Sequence, residues 1–129
     1  MSDRQSILAW CEGGAINDVR AALRVSREST RRLLNIMSQT HTGPNRLRGG
    51  LASGWTISHK TGTGQVLGSE QAGYNDIGIL HAPDGHNYAL AVMIGRTSTP
   101  LATRMALMQE VVRATIAYHD ASAAEAGDR

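Results

Sequence analysis

A four-residue turn constrains this chain more than any other feature. Pro83-Asp84-Gly85-His86 has the composition of a tight turn. It separates two β-type runs, Asn75 to Ala82 and Asn87 to Gly95. Strands joined so closely pair antiparallel, because a parallel return needs a dozen or more residues. The second run is apolar on both faces, with Leu90, Val92 and Ile94 on one and Ala89, Ala91 and Met93 on the other. That pattern predicts a strand inside a sheet covered on both sides.

The flanking segments supply the other layer. Trp55-Thr56-Ile57-Ser58-His59-Lys60 alternates apolar and polar residues and reads as a third strand with one face buried. A polar, glycine-containing loop is expected from Gly64 to about Tyr74. Thr99-Pro100 opens a long helix with proline at its favoured first position. Leu101, Met105, Met108, Val112 and Ile116 then recur at helical spacing as a face for the sheet, and the small polar tail after His119 is expected to fray. Upstream, Ser26 is placed as the N-cap of a helix with Glu28 in its first turn. Its stripe is Leu33, Leu34, Ile36 and Met37, and its stop is Gly43-Pro44. Two shorter helices are expected before it, one from Ser6 to Cys11 and one capped by Asn17-Asp18. The fold class is therefore α+β, three antiparallel strands backed by helices, in a single domain spanning residues 1–129.

Charge and composition narrow the function classes. The longest apolar run, Ala89 to Ile94, is far short of the ~20 residues a membrane span needs. No signal peptide is visible in Met1 to Gly14. Cys11 is the only cysteine, so an internal disulfide and a multi-cysteine zinc site are excluded. Arg20, Arg24, Arg27, Arg31 and Arg32 could contact nucleic acid, but no aromatics are interleaved and the net charge is only +2. A solvated helix face is the better reading.

Of the 13 basic residues only Lys60 is a lysine, and it stands directly before Thr61-Gly62-Thr63-Gly64. A lysine and a threonine hydroxyl at a strand end can face a ligand carboxylate, while glycine lets a backbone approach. The next backbone N–H can act as an oxyanion donor.

The surrounding residues carry a resemblance. Leu47-x-x-Gly50-Leu51-x-x-Gly54-Trp55-Thr56, then Lys60-Thr61-Gly62-Thr63-Gly64, then Asn75-Asp76-Ile77-Gly78 is similar to the C-terminal part of class A serine β-lactamases. Ser29-Thr30, Leu33-Leu34 and Thr40-x-Thr42-Gly43 fit the same family. The resemblance runs from Val25 to Tyr118, leaving residues 1–24 weakly matched and 119–129 as a tail. It implies hydrolysis of the β-lactam amide bond, with no cofactor and no metal. Lys60 would supply positive potential, Thr61 would bond the substrate carboxylate, Gly62 would permit close approach, and the Thr63 backbone N–H would be an oxyanion donor. The family also implies a periplasmic or secreted setting.

The departures bear on activity. The family acylates a serine in Ser-x-x-Lys, and here Ile57 stands three positions before the sole lysine. No Ser-Asp-Asn occurs, and no Glu lies in a context resembling the loop that positions the deacylating water. Ser53, Ser58 and Ser69 have no base in local sequence reach. The chain alone is expected to be catalytically incompetent, since a nucleophile needs an adjacent base. Its expected partners are a β-lactam or another small carboxylate, an N-terminal half of the domain supplied in trans, and further copies of itself. No membrane is expected. A non-catalytic carboxylate-binding module is the alternative, with nucleic-acid contact a weaker one. The five histidines are read as surface or internally satisfied, and Trp55 as a core anchor.

Overall fold

The computed structural model describes residues 26–127. The helices expected over Ser6–Cys11 and after Asn17-Asp18, together with Arg20 and Arg24, lie outside the described residues. Helix α1 spans Arg27–Ser38, and a 3-10 turn covers Leu47–Gly50. Strands β1 (Thr56–Thr63), β2 (Val66–Leu67), β3 (Glu70–His81) and β4 (Asn87–Thr97) follow, and helix α2 (Leu101–Gly127) ends the described chain. All strand pairs are antiparallel, with β3 central, β4 on one side, and β1 and β2 on the other. The class is α+β, as the sequence implies.

Helix α1 begins at Ser26, whose side-chain oxygen accepts from the Ser29 N–H at 3.1 Å. It stops at Ser38, before Gly43-Pro44, where the Gln39 N–H folds back to the Ile36 and Met37 carbonyls. Thr30, Leu34 and Met37 are half-buried, while Leu33 and Ile36 are exposed. Only part of the expected stripe is therefore covered. Arg27, Arg31 and Arg32 are exposed, in keeping with a solvated face.

The core lies between one face of the sheet and α2. Trp55 and Ile57 from β1 and its entry, Tyr74, Leu80 and Ala82 from β3 and its exit, and Leu90 and Val92 from β4 are buried. Met108, Val112 and Ile116 cover them from α2, and Leu47 fills the corner. Full burial of such side chains is worth about 1.5–3 kcal/mol each. Trp55 is a core anchor, as its alternation implies. Leu101 at the helix start is half-exposed.

Three expectations are corrected. The loop placed between Gly64 and Tyr74 is mostly a hairpin: β1 runs on to Thr63, and Val66 and Leu67 pair with Gln71 and Glu70. The sheet thus has four strands, the extra one of two residues. Apolar alternation reports burial, and this hairpin pairs its backbone while its side chains stay exposed or half-exposed. Strand β4 is an edge strand, and among the described residues nothing covers its Ala89, Ala91 and Met93 side. Helix α2 continues through Gly127 instead of fraying after His119. Ala121, Ala123, Ala124 and Ala126 explain this, since alanine is the best helix former and no breaker intervenes.

The turn between β3 and β4 is closed by the Ala82 N–H to the His86 carbonyl at 2.8 Å. The His86 N–H donates to Asp84 Oδ1 at 3.1 Å, and this bond holds the Asp84 carboxyl below its ordinary pKa.

Candidate functional site

Strand β1 pairs only with β3, so its other edge is free for ligands within the described sheet. The Thr40 hydroxyl reaches the His59 carbonyl at 2.7 Å from outside that edge. In an antiparallel ladder the backbone groups of alternate residues face the same way, which turns the amides of Thr61 and Thr63 toward the same edge. The Lys60 side chain is exposed, and its ammonium donates to the Thr61 carbonyl at 2.5 Å. Lys60 and Thr61 leave opposite faces of the strand, as neighbours in a strand must. The Lys60 ammonium returns to the edge by folding over the Thr61 carbonyl.

On the Thr61 side, a segment upstream of β1 supplies partners. The Thr42 and Thr61 hydroxyls lie 2.8 Å apart and share a hydrogen bond. Gly43 makes that approach possible: its φ is +60°, and a Cβ there would stand 2.7 Å from Thr61 Cγ2 and 2.9 Å from Arg46 Cδ. Any side chain there would force the Thr61 and Arg46 side chains to shift, in a backbone conformation that favours glycine.

Arg46 is the residue that sequence reasoning missed. Its guanidinium donates through Nη1 to the Asn75 carbonyl at 2.7 Å and through Nη2 to Thr63 Oγ1 at 2.5 Å. It also lies over the Tyr74 ring, 3.8 Å from the centroid. With Lys60 it brings two cations to the ends of the Thr61-Gly62-Thr63 segment. Lone-lysine logic could not find it, because arginine supplies every other basic position.

Beneath this edge lies a buried polar network. His59 and Asp76 are both fully buried, with His59 Nδ1 2.9 Å from Asp76 Oδ1. Asp76 Oδ2 also accepts the Leu47 N–H at 3.2 Å, fastening the segment that carries Arg46. The histidine ring fits because its β3 neighbour is Gly78, where a Cβ would stand 2.8 Å from His59 Cβ and 2.5 Å from the Ser58 carbonyl oxygen. His59 is satisfied internally at Nδ1, while its Nε2 has no partner among the described residues.

One pairing invisible to local sequence appears on the other face. His81 Nε2 lies 3.0 Å from Ser58 Oγ, and His81 Nδ1 bonds Asn87 Oδ1 at 2.5 Å. A base therefore does reach Ser58 in space, from 23 residues away. Ser58 is only 3% exposed and lines a cavity together with Ser38, Trp55 and His81.

Residues 16–119 match the β-lactamase enzyme family. The chain belongs to that family. It is 34% identical over 90 residues to the extended-spectrum β-lactamase PER-1 of Pseudomonas aeruginosa, covering 70% of this chain and 29% of the relative. Similarity to β-lactamase VEB-1 of the same organism is 27% over 95 residues, covering 74% and 32%. Among solved structures, a β-lactamase from Chitinophaga pinensis superposes with a TM-score of 0.68 at 34% identity, over 81% of this chain and 37% of that one. The TLA-3 extended-spectrum β-lactamase gives 0.69 at 33% identity, over 77% and 36%. The match is to the C-terminal portion of a class A β-lactamase, and the chain spans about a third of the length of these relatives.

Proposed function

We propose that this β-lactamase-family chain forms the carboxylate- and oxyanion-binding wall of a β-lactam-hydrolysing site. Lys60 supplies positive potential, and the Thr61 hydroxyl bonds the substrate carboxylate. Gly62 lets the substrate lie against the strand, and the Thr63 backbone N–H receives the lactam oxygen as it gains charge. Arg46 adds a second cation and orients the Thr63 side chain. The observation that supports this reading is the grouping of four side chains at the end of β1: the Lys60 ammonium on the Thr61 carbonyl, the Thr61 hydroxyl on Thr42, and the Arg46 guanidinium on Thr63 Oγ1 and the Asn75 carbonyl.

The wall has no nucleophile of its own. Without Ser-x-x-Lys, and with the Ser58–His81 pair on the face of β1 away from Thr61 and Thr63, oxyanion and binding effects alone leave a small residual acceleration. The isolated chain therefore binds and does not turn over. Supplying the nucleophile-bearing half of a relative in trans completes the site. A chromogenic cephalosporin assay tests this: background rates from the chain alone, and a gain on co-expression that Lys60→Ala abolishes. Turnover by the chain alone that requires Lys60 would refute it and direct attention to Ser53, Ser58 and Ser69.

A second reading is a carboxylate-binding module with no chemistry, favoured by the same missing Ser-x-x-Lys. It predicts carboxylate binding without any gain from the complementary half.

A further inference from the structure

At the end of the sheet away from Lys60, the β3–β4 turn meets helix α2. Asp84, His86 and His119 each turn one ligand-type atom into a common space, all within 4.8 Å of one another. Asp84 Oδ2 lies 3.0 Å from His86 Nδ1 and 3.3 Å from His119 Nε2. His119 is buried to 9% exposure, against the edge of the Trp55 ring with centroids 5.0 Å apart. Its other nitrogen, Nδ1, lies 2.8 Å from the Tyr88 hydroxyl. The remaining two side chains are anchored less tightly but locally ordered: the His86 N–H fixes Asp84 Oδ1, leaving Oδ2 for the site.

We propose that Asp84, His86 and His119 form a three-ligand site for a divalent transition-metal ion of the zinc type, clamping the β3–β4 turn to helix α2. The donor set decides the class of ion. Two imidazoles and one carboxylate suit zinc and its neighbours, whereas magnesium and calcium take oxygen ligands. Ligands about 2.1 Å from a tetrahedral ion stand roughly 3.4 Å apart. The two Asp84 contacts already meet that spacing, and the His86 ring, with a side chain 70% exposed, is free to close the third. Tyr88 completes the arrangement. With the His119 Nδ1–H donating to the Tyr88 oxygen, the Nε2 lone pair is left for the metal, the outer-sphere pattern that orients metal-bound histidines. Solvent supplies the fourth position. The carboxylate offsets half the ion's charge, and the site binds independently of anything at the β1 edge.

The signal was divided in the sequence. Asp84 and His86 sit in a turn, and His119 lies 33 residues beyond His86, so no ligand spacing is visible. The expectation of no metal went with reading the five histidines as surface or internally satisfied.

The test uses the full chain and Zn2+ alone. Calorimetry is expected to show one ion per chain, with the His86 and His119 imidazole resonances moving while those of His41 and His81 stay. Asp84→Asn and His86→Gln each weaken binding at least tenfold, and Tyr88→Phe weakens it about tenfold by removing the outer partner. Mg2+ at the same concentration gives no heat. His119 is left intact, because its packing on Trp55 makes its loss a folding change. Absence of binding at millimolar Zn2+, or binding that both Asp84→Asn and His86→Gln leave unchanged, would overturn the proposal. Equal shifts at every exposed histidine would do the same.

Discussion

Asp76 holds two donors at once, the His59 imidazole and the Leu47 N–H, in a fully buried setting. Removing the carboxylate leaves both without a partner, and each such loss costs about 1–3 kcal/mol. Asp76→Ala is therefore expected to lower the chemical-denaturation midpoint and to loosen Arg46, whose segment hangs from Leu47. Asp76→Asn keeps one acceptor and should lose less. Arg46→Gln is expected to leave the fold intact and weaken carboxylate binding by up to about 1 kcal/mol, since half-exposed charges are screened. At this scale the sequence was legible only where a residue type was rare. Lys60 stood out as the sole lysine before Thr-Gly, and its neighbours carried a family pattern. His59 and Asp76 are separated by 17 residues and Arg46 and Asn75 by 29, so their pairing depends on strand register, which local sequence does not display.

Strand β3 is the element on which the others depend, because it pairs with every other strand in the sheet. It crosses β1 tightly at Gly78, where an added Cβ meets Ser58 backbone and His59. Gly78→Ala is expected to part β1 from β3 near Lys60, detected as faster hydrogen exchange of the amides from Ser58 to Gly62. Met108→Ala and Val112→Ala, both fully buried in α2, empty core volume; the methionine truncation should cost about 2–5 kcal/mol. Cutting the chain after Asp120 removes, among the described residues, only exposed helix and should leave the melting temperature nearly unchanged. Elements with strong periodicity, α2 and the hairpin around Pro83-Asp84-Gly85-His86, were readable in type and order. The β1–β2–β3 extension was not, because it is held by backbone pairing rather than by burial. The two-sided apolar pattern of β4 was readable as well, but it announced a cover that the described residues do not supply.

Among the described residues, one face of the sheet is covered and the other is open along β4 and the neighbouring part of β3. Ile77 and Met93 stand 44% and 73% exposed on the open side, beside exposed Ala89 and Ala91, and β4 is unpaired along its outer edge within the described residues. Exposed apolar surface and unpaired edges both promote association. The isolated chain is expected to bind a hydrophobic dye and to self-associate as concentration rises in sedimentation experiments. Met93→Lys, which breaks the patch without entering the core, should reduce both. A strict monomer with a sharp thermal transition and no dye binding would show that residues outside 26–127 close this face, and would favour the stand-alone binding module. The central claim, that the free edge of β1 is a carboxylate- and oxyanion-binding wall, is tested most directly by an amide NMR titration with a penicillin. The amides of Thr61, Gly62 and Thr63 should shift first and saturably at millimolar ligand, and Lys60→Ala should weaken the response. Uniform shifts over the surface, or none at those three amides, would contradict it.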